Sequence, residues 1–125
     1  MVNRVWTYSQ KSGIIYKNCL PVGVGYSGSS YGLNNPEKQH VQKIGPIPRG
    51  VWKIISWYDK TDKFGPIVAR LEPSNKEMAL GRSGFLIHGD NSKGDKSASS
   101  GCIILNRNLR EAIKNSKETE IAVIL

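Results

Sequence analysis

Gly84-Phe85-Leu86-Ile87-His88-Gly89-Asp90, then ten small or polar residues, then Gly101-Cys102-Ile103-Ile104-Leu105: the reading of this stretch decides the fold. Each apolar run is too short for a helix and is bounded by glycine, so each reads as a short buried strand. Residues 91–100 hold Ser, Lys, Gly and Asp with one Ala, which is the composition of a mobile polar loop. Strand, long loop and strand again is the signature of a β-rich domain.

The rest of the chain agrees. Upstream, Gly45-Pro46-Ile47-Pro48-Arg49-Gly50 forms a rigid turn that feeds a strand over Val51 to Tyr58. A turn over Thr61 to Pro66 returns the chain into Ile67-Val68-Ala69-Arg70-Leu71. Further back, Val5-Trp6-Thr7-Tyr8 and Ile14-Ile15-Tyr16 flank Gln10-Lys11-Ser12-Gly13 and read as a hairpin. From Gly23 to Gly45 the composition shifts to Gly, Ser, Asn and Pro without periodicity, a long irregular segment of the kind that carries function. Downstream, Leu109, Ala112 and Ile113 put one apolar stripe on a helix over Asn108 to Lys117, capped by Asn106 or Asn108. A strand from Glu120 to Leu125 ends the chain. The expectation is one mostly-β domain, residues 1–125, of six or seven strands with one late helix.

Composition sets the outer limits. With 125 residues, 38% of them hydrophobic, 13 glycines and 6 prolines, the chain suits a turn-rich β domain better than a helical bundle. The longest apolar run, Ile121 to Leu125, is far short of the ~20 residues of a membrane span. Met1-Val2-Asn3-Arg4-Val5-Trp6 lacks the positive-then-apolar design of a signal peptide. The formal charge of +8 suits an anionic partner. Its lysines are scattered, and neither a recognition helix, a zinc finger nor an aromatic RNA-binding signature is present, so nucleic acid is not expected. Cys19, Cys102, His40 and His88 show no local metal-ligand spacing, so neither metal nor cofactor is expected. A disulfide between the two cysteines stays open at this point.

The chemistry converges on two residues. Cys102 follows Ala98-Ser99-Ser100-Gly101, where a sharply bent backbone can aim N–H groups at a developing negative charge. His88 ends an apolar strand, where side chains leave the core, and stands fourteen residues before the cysteine. An imidazole in reach would hold the thiol as thiolate and later protonate a leaving amine. Cys102 is therefore expected to be a low-pKa thiol that alkylates ahead of Cys19.

Here the residues carry a resemblance. Gly84-Phe85-Leu86-Ile87-His88-Gly89 with Ser99-Ser100-Gly101-Cys102-Ile103 resembles the His-Gly…Ser-x-Gly-Cys signature of the L,D-transpeptidase (YkuD-like) superfamily. Gly45 to Ile54 is similar to its Pro-x-Pro-x-Gly-x-aromatic segment. Trp6-Thr7-Tyr8…Gly13, Tyr26-Ser27-Gly28 and Arg82-x-Gly84-Phe85-x-Ile87-His88-Gly89 resemble one branch in particular, the L,D-transpeptidase-like effectors of type VI secretion.

The resemblance implies an L,D-transpeptidase-like β-sandwich acting on peptidoglycan stem peptides. Cys102 would attack the carbonyl of the third stem residue and expel the terminal D-amino acid, with His88 as base and then acid. Water would then release the product (L,D-carboxypeptidase activity), or an amine would (D-amino-acid exchange). Gly101 and Cys102 N–H groups would hold the oxyanion, and Asp90 or Ser99 would orient His88. Arg82, Tyr26, Ser100, Gly89 and Arg107 fall on the substrate side; the Tyr26 to Tyr31 segment reads as a wall over the site or a plain loop. Where the superfamily has Arg two residues after the cysteine, this chain has Ile104, so Arg82 or Arg107 is expected to take the donor carboxylate. The implied setting is the periplasm, reached through a dedicated secretion system, with a cognate immunity protein as partner. The rival from another class is a catalytically idle module that binds peptidoglycan or protein on the same fold.

Overall fold

A computed structural model describes residues 5–125, so the first four residues, where a leader was sought, lie outside it. Strand β1 (Trp6–Ser9) turns into β2 (Ile14–Lys17), and β3 (Leu20–Val24) follows. After β4 (Tyr26–Ser27) come two 3-10 turns, at Ser30–Gly32 and Pro36–Lys38. The long strands β5 (Gly50–Thr61) and β6 (Gly65–Pro73) form a hairpin, followed by a 3-10 turn at Lys76–Ala79. Strands β7 (Leu86–His88) and β8 (Ile103–Ile104) flank the polar loop. Helix α1 (Arg107–Ser116) and β9 (Glu120–Ile124) complete the chain.

The nine strands among the described residues belong to one sheet in the order β3-β2-β1-β9-β5-β6-β7-β8-β4. Pairing is antiparallel except between β1 and β9 and between β7 and β8. Strands β3 and β4 stand at opposite ends of that order yet only Gly25 separates them in sequence, so the sheet curls round until its two ends meet. At the seam the Gly25 N–H donates to the Gly13 carbonyl at 2.7 Å. A Cβ on Gly25 would stand 2.0 Å from the Ile104 carbonyl oxygen, so the close approach needs glycine.

Nine strands among the described residues correct the expected six or seven. The added pair is β3 and β4, inside or beside the glycine-rich segment. Pro21 and Gly23 weaken the strand reading of Leu20–Val24, but β3 is a sheet edge, where proline is tolerated. The inner face of the curled sheet packs Trp6, Tyr8, Ile15, Trp52, Ile87, Ile103 and Ile121, none more than 1% exposed. Trp52 meets Phe85 edge-on at 4.8 Å and donates its indole N–H to Pro48 O, which docks the proline turn on the core.

Helix α1 starts where Asn106 Oδ1 accepts the Leu109 N–H at 2.9 Å and stops at Lys117 in the left-handed region. Leu109 and Ile113 enter the core as expected, but Ala112 is exposed and Arg110 is buried in its place. That exchange bears on the site.

Candidate active site

Strands β7 and β8 run parallel with Ile87 opposite Ile103 and His88 opposite Ile104. Ile87 and Ile103 face the core, so alternation puts Leu86, His88, Cys102 and Ile104 on the other face. Continuing the register places Cys102 beside Leu86 and diagonal to His88, a spacing of about 7–8 Å in a sheet. His88 and Cys102 are therefore neighbours on one face, without a hydrogen bond between them.

His88 is 2% exposed. Its Nδ1 lies 2.8 Å from the Gly89 carbonyl. A carbonyl only accepts, so Nδ1 carries the proton and Nε2 bears the lone pair. That Nε2 is buried and has no partner. The Phe64 ring, from the tip between β5 and β6, lies against the imidazole at 4.5 Å. Burial above all, and then the Arg110 and Lys63 charges, hold His88 below its ordinary pKa, against opposing pulls from the Gly89 carbonyl and Asp90. The imidazole is a neutral base at neutral pH.

Cys102 is half-buried, with Sγ 3.9 Å from the Gly84 carbonyl. Burial pushes its thiol up, only partly offset by the Leu86 backbone N–H and by Arg82 and Lys63. The expected low-pKa thiol is thus corrected: the resting pair is a thiol and a neutral imidazole. Both cysteines are free, and Cys19 is exposed, which closes the disulfide question.

The backbone around the cysteine is held tightly. Gly101 adopts φ +135°, and a Cβ there would fall 2.5 Å from Arg82 Nη2 and 2.9 Å from the Phe85 ring. Ser99 Oγ accepts the N–H groups of Gly28 (2.9 Å) and Gly101 (3.1 Å) and donates to Cys102 O at 2.6 Å. Ser27 Oγ donates to Gly101 O and accepts the Ile47 N–H. Two roles change with this geometry. Because the Gly101 N–H is already taken by Ser99, it is not aimed at an oxyanion. Ser99 itself orients the cysteine turn, and not the histidine.

Asp90 is also reassigned. Its Oδ1 accepts from the Tyr26 hydroxyl at 2.7 Å and from the Asn91 N–H at 2.9 Å, leaving Gly89 as the orienting group of His88. Tyr26 is 5% exposed and also accepts the Ala98 N–H, so it clips the two ends of the polar loop together and forms no outer wall. Burial and the Asp90 bond push its phenol up to about 12. Arg82 is buried; its Nη1 donates to Gln39 and Pro46 carbonyls and its Nη2 to Gly45 and Ser100 carbonyls. The Ser100 side chain is exposed. Arg107 lies on the surface in an ion pair with Glu111 at 2.8 Å.

His88 and Cys102 open onto separate hollows. His88 lines a cleft of about 440 Å³ with Lys63, Phe64, Pro66, Asp90 and Arg110. Cys102 lines a hollow of about 200 Å³ with Lys43, Arg82, Ser83, Gly84 and Gly101. Nothing in the sequence marks Phe64 and Arg110 as lining residues of the His88 cleft. Phe64 falls in the Thr61 to Pro66 turn, and a single arginine on a helix reads as solvent-facing. Arg110 in fact donates to the carbonyls of Leu105, Pro66 and Ile67, tying the helix to both sides of the site.

Comparison with known proteins accords with this arrangement. The Tlde1 domain matches residues 23–124, and the chain belongs to that family of L,D-transpeptidase-like type VI secretion effectors. The fold is that of L,D-transpeptidase catalytic domains. The crystal structure of a Cys-to-Ser mutant of Enterococcus faecium L,D-transpeptidase superposes with TM-score 0.60 at 13% identity, over 99% of this chain and 50% of that one. This chain thus spans about half the length of that enzyme. The NMR structure of the catalytic domain from E. faecium L,D-transpeptidase gives TM-score 0.53 at 16% identity, over 99% and 98% of the two chains. No match was found among curated proteins. Family and fold together support, in general terms, a peptidoglycan-modifying effector.

Proposed function

We propose that the protein is a cysteine-dependent enzyme that removes or exchanges the terminal D-amino acid of peptidoglycan stem peptides. The observation that carries the reading is the buried, unpartnered His88 Nε2 on the same sheet face as Cys102. A base lone pair kept dry and unpaired, on the sheet face that also carries the thiol, can take the thiol proton once substrate binding brings the two within hydrogen-bond reach, directly or through one water.

Cys102 Sγ attacks the carbonyl of the third stem residue as its proton passes to His88 Nε2. The oxyanion is held at the Ser99-braced turn, where the Cys102 N–H is the donor that remains from the expected pair. The C–N bond then breaks, and His88 gives the proton to the departing amine. Water adds to the thioester, loses a proton to His88 and restores the thiol, giving a carboxylate; a D-amino acid in place of water gives the exchanged peptide. Since thiol and imidazole are both neutral at rest, attack and proton transfer are coupled, and no preformed ion pair is needed. The idle-module rival draws on one observation, that Sγ faces the Gly84 carbonyl in a hollow separate from that of His88.

Mass-spectrometric assay of muropeptides separates the two. Release or exchange of the terminal residue by the native chain, abolished in Cys102→Ala and in His88→Ala, is the expected result. Binding to muropeptides with no turnover in the native chain overturns the enzyme reading. As an effector acting in the periplasm, the protein would be delivered by a secretion machine and countered by an immunity protein.

A further inference from the structure

The fragment expelled in such a reaction is a D-amino acid, whose carboxylate sits on the same carbon as the departing nitrogen. His88 protonates that nitrogen, so the carboxylate comes to rest on the His88 side of the site. An anion entering a partly enclosed cleft needs a cation or several donors to replace its lost water.

Two cations line that cleft, Arg110 and Lys63. Arg110 is 6% exposed; its Nε and Nη1 are engaged with three backbone carbonyls, and its Nη2 lies against Gly89, where a Cβ would stand 2.8 Å from it. The arginines expected from sequence are engaged as well: Arg82 with four carbonyls away from this cleft, and Arg107 with Glu111. Lys63 differs. It is exposed at the tip of the β5–β6 hairpin, with Nζ 5.3 Å from the centre of the Phe64 ring that covers His88. Among the described residues it makes no ion pair. Asp90, the acid lining the same cleft, is held by Tyr26 and the Asn91 N–H instead. Lys63 is also the side chain whose charge reaches both His88 and Cys102.

We propose that Lys63 is the specificity-determining cation of the site: it takes the α-carboxylate of the terminal D-residue, so the enzyme selects stem peptides with a free C-terminus. This rests on the peptidase reading above. The contact is made alike in substrate and transition state, so its loss falls on KM with kcat little changed. A lysine on a flexible stem holds its anion as a point charge, so arginine serves in its place.

The test compares a stem tetrapeptide as free acid with its C-terminal carboxamide, using the full chain. A second pair of peptides, with and without a carboxylate on the third side chain, distinguishes the two carboxylate sources. The native enzyme is expected to prefer acid over amide roughly tenfold in kcat/KM, the worth of one charge-assisted hydrogen bond. Lys63→Met should abolish that preference through KM, Lys63→Arg should keep it, and Lys43→Met, a cation of the other hollow, should keep it too. Equal use of acid and amide by the native enzyme, a preference retained in Lys63→Met or lost in Lys43→Met, or an effect of Lys63→Met confined to the third-residue carboxylate overturns the proposal. Binding of acid and amide to Cys102→Ala by calorimetry gives the same comparison without turnover. Discrimination in binding with no turnover by the native chain would therefore refute the peptidase reading and leave Lys63 as the carboxylate site.

Discussion

At Cys102 two effects oppose each other, and burial wins. Arg82, Lys63 and the Leu86 N–H all favour the thiolate, yet the thiol stays above its ordinary value because the low-dielectric surroundings penalise charge more. His88 shows the same contest with the opposite sign, burial holding it neutral. The consequence is measurable by alkylation with iodoacetamide in a Cys19→Ser background, needed because Cys19 is exposed and would label first. An acid with a raised pKa releases its proton late, so the rate should climb only as pH passes above the ordinary thiol value. A midpoint below that value would restore the preformed ion pair and remove the case for coupled proton transfer. That His88 and Cys102 fall on neighbouring strand ends was legible in sequence, because glycine, small residues and a strand-ending histidine mark where a chain bends and leaves its core. Which atoms the serine, aspartate and glycine bind was not legible. Ser99, Asp90 and Gly101 each have several acceptors or donors within reach, and only the folded register selects among them.

Among the elements, the parallel pair β7 and β8 sets the site, and the β5–β6 hairpin covers part of it. Strong apolar runs made β5, β6 and β7 readable, since buried strands of this kind leave a hydrophobic signature whatever their partners. By contrast, β3 and β4 owe their place to edge pairing and to a closure that a local window cannot see. The hairpin tip was invisible as a site element for the same reason: Phe64 reaches His88 only because β5 and β6 extend past the sheet towards β7. Removing that ring should expose the imidazole and ease the burial penalty on its charged form. Phe64→Ala is accordingly expected to raise the His88 pKa towards the ordinary ~6.5, followed by NMR titration of the ring protons. An unchanged midpoint would mean that the cover on His88 comes from elsewhere, with the β6 side held by Arg110 the next place to look. The loss of stability should stay small, since the ring is only partly buried at a hairpin tip.

For the whole molecule, closure and charge are the two global properties. Closure depends on Gly25, where both ends of the sheet meet, so Gly25→Ala forces a Cβ against the Ile104 carbonyl next to the site strand. Relief must come from moving backbone, and a cost of about 1–3 kcal/mol, the range for overpacking, should lower the melting temperature by several degrees in calorimetry. A melting curve like that of the native chain would show that the seam has slack. Charge is the longer-range property. The formal +8 is distributed over an exposed surface, and the ion pairs found among the described residues involve only three of the basic side chains. Such a surface attracts a polyanion from a distance, whatever the cleft selects. If it serves to hold the protein on the anionic cell wall, binding to isolated sacculi should fall steeply between low salt and ~0.5 M, because screening shortens the reach of exposed charges from ~30 Å at 0.01 M to ~10 Å at 0.1 M. Turnover of a small soluble peptide should respond far less, since one carboxylate meeting one lysine at contact distance is screened weakly compared with a field summed over many charges. Measuring both on the same preparation tells surface capture from site recognition. Sacculus binding that ignores salt, or tighter binding to DNA of equal charge than to sacculi, would show that the basic surface serves something other than the wall.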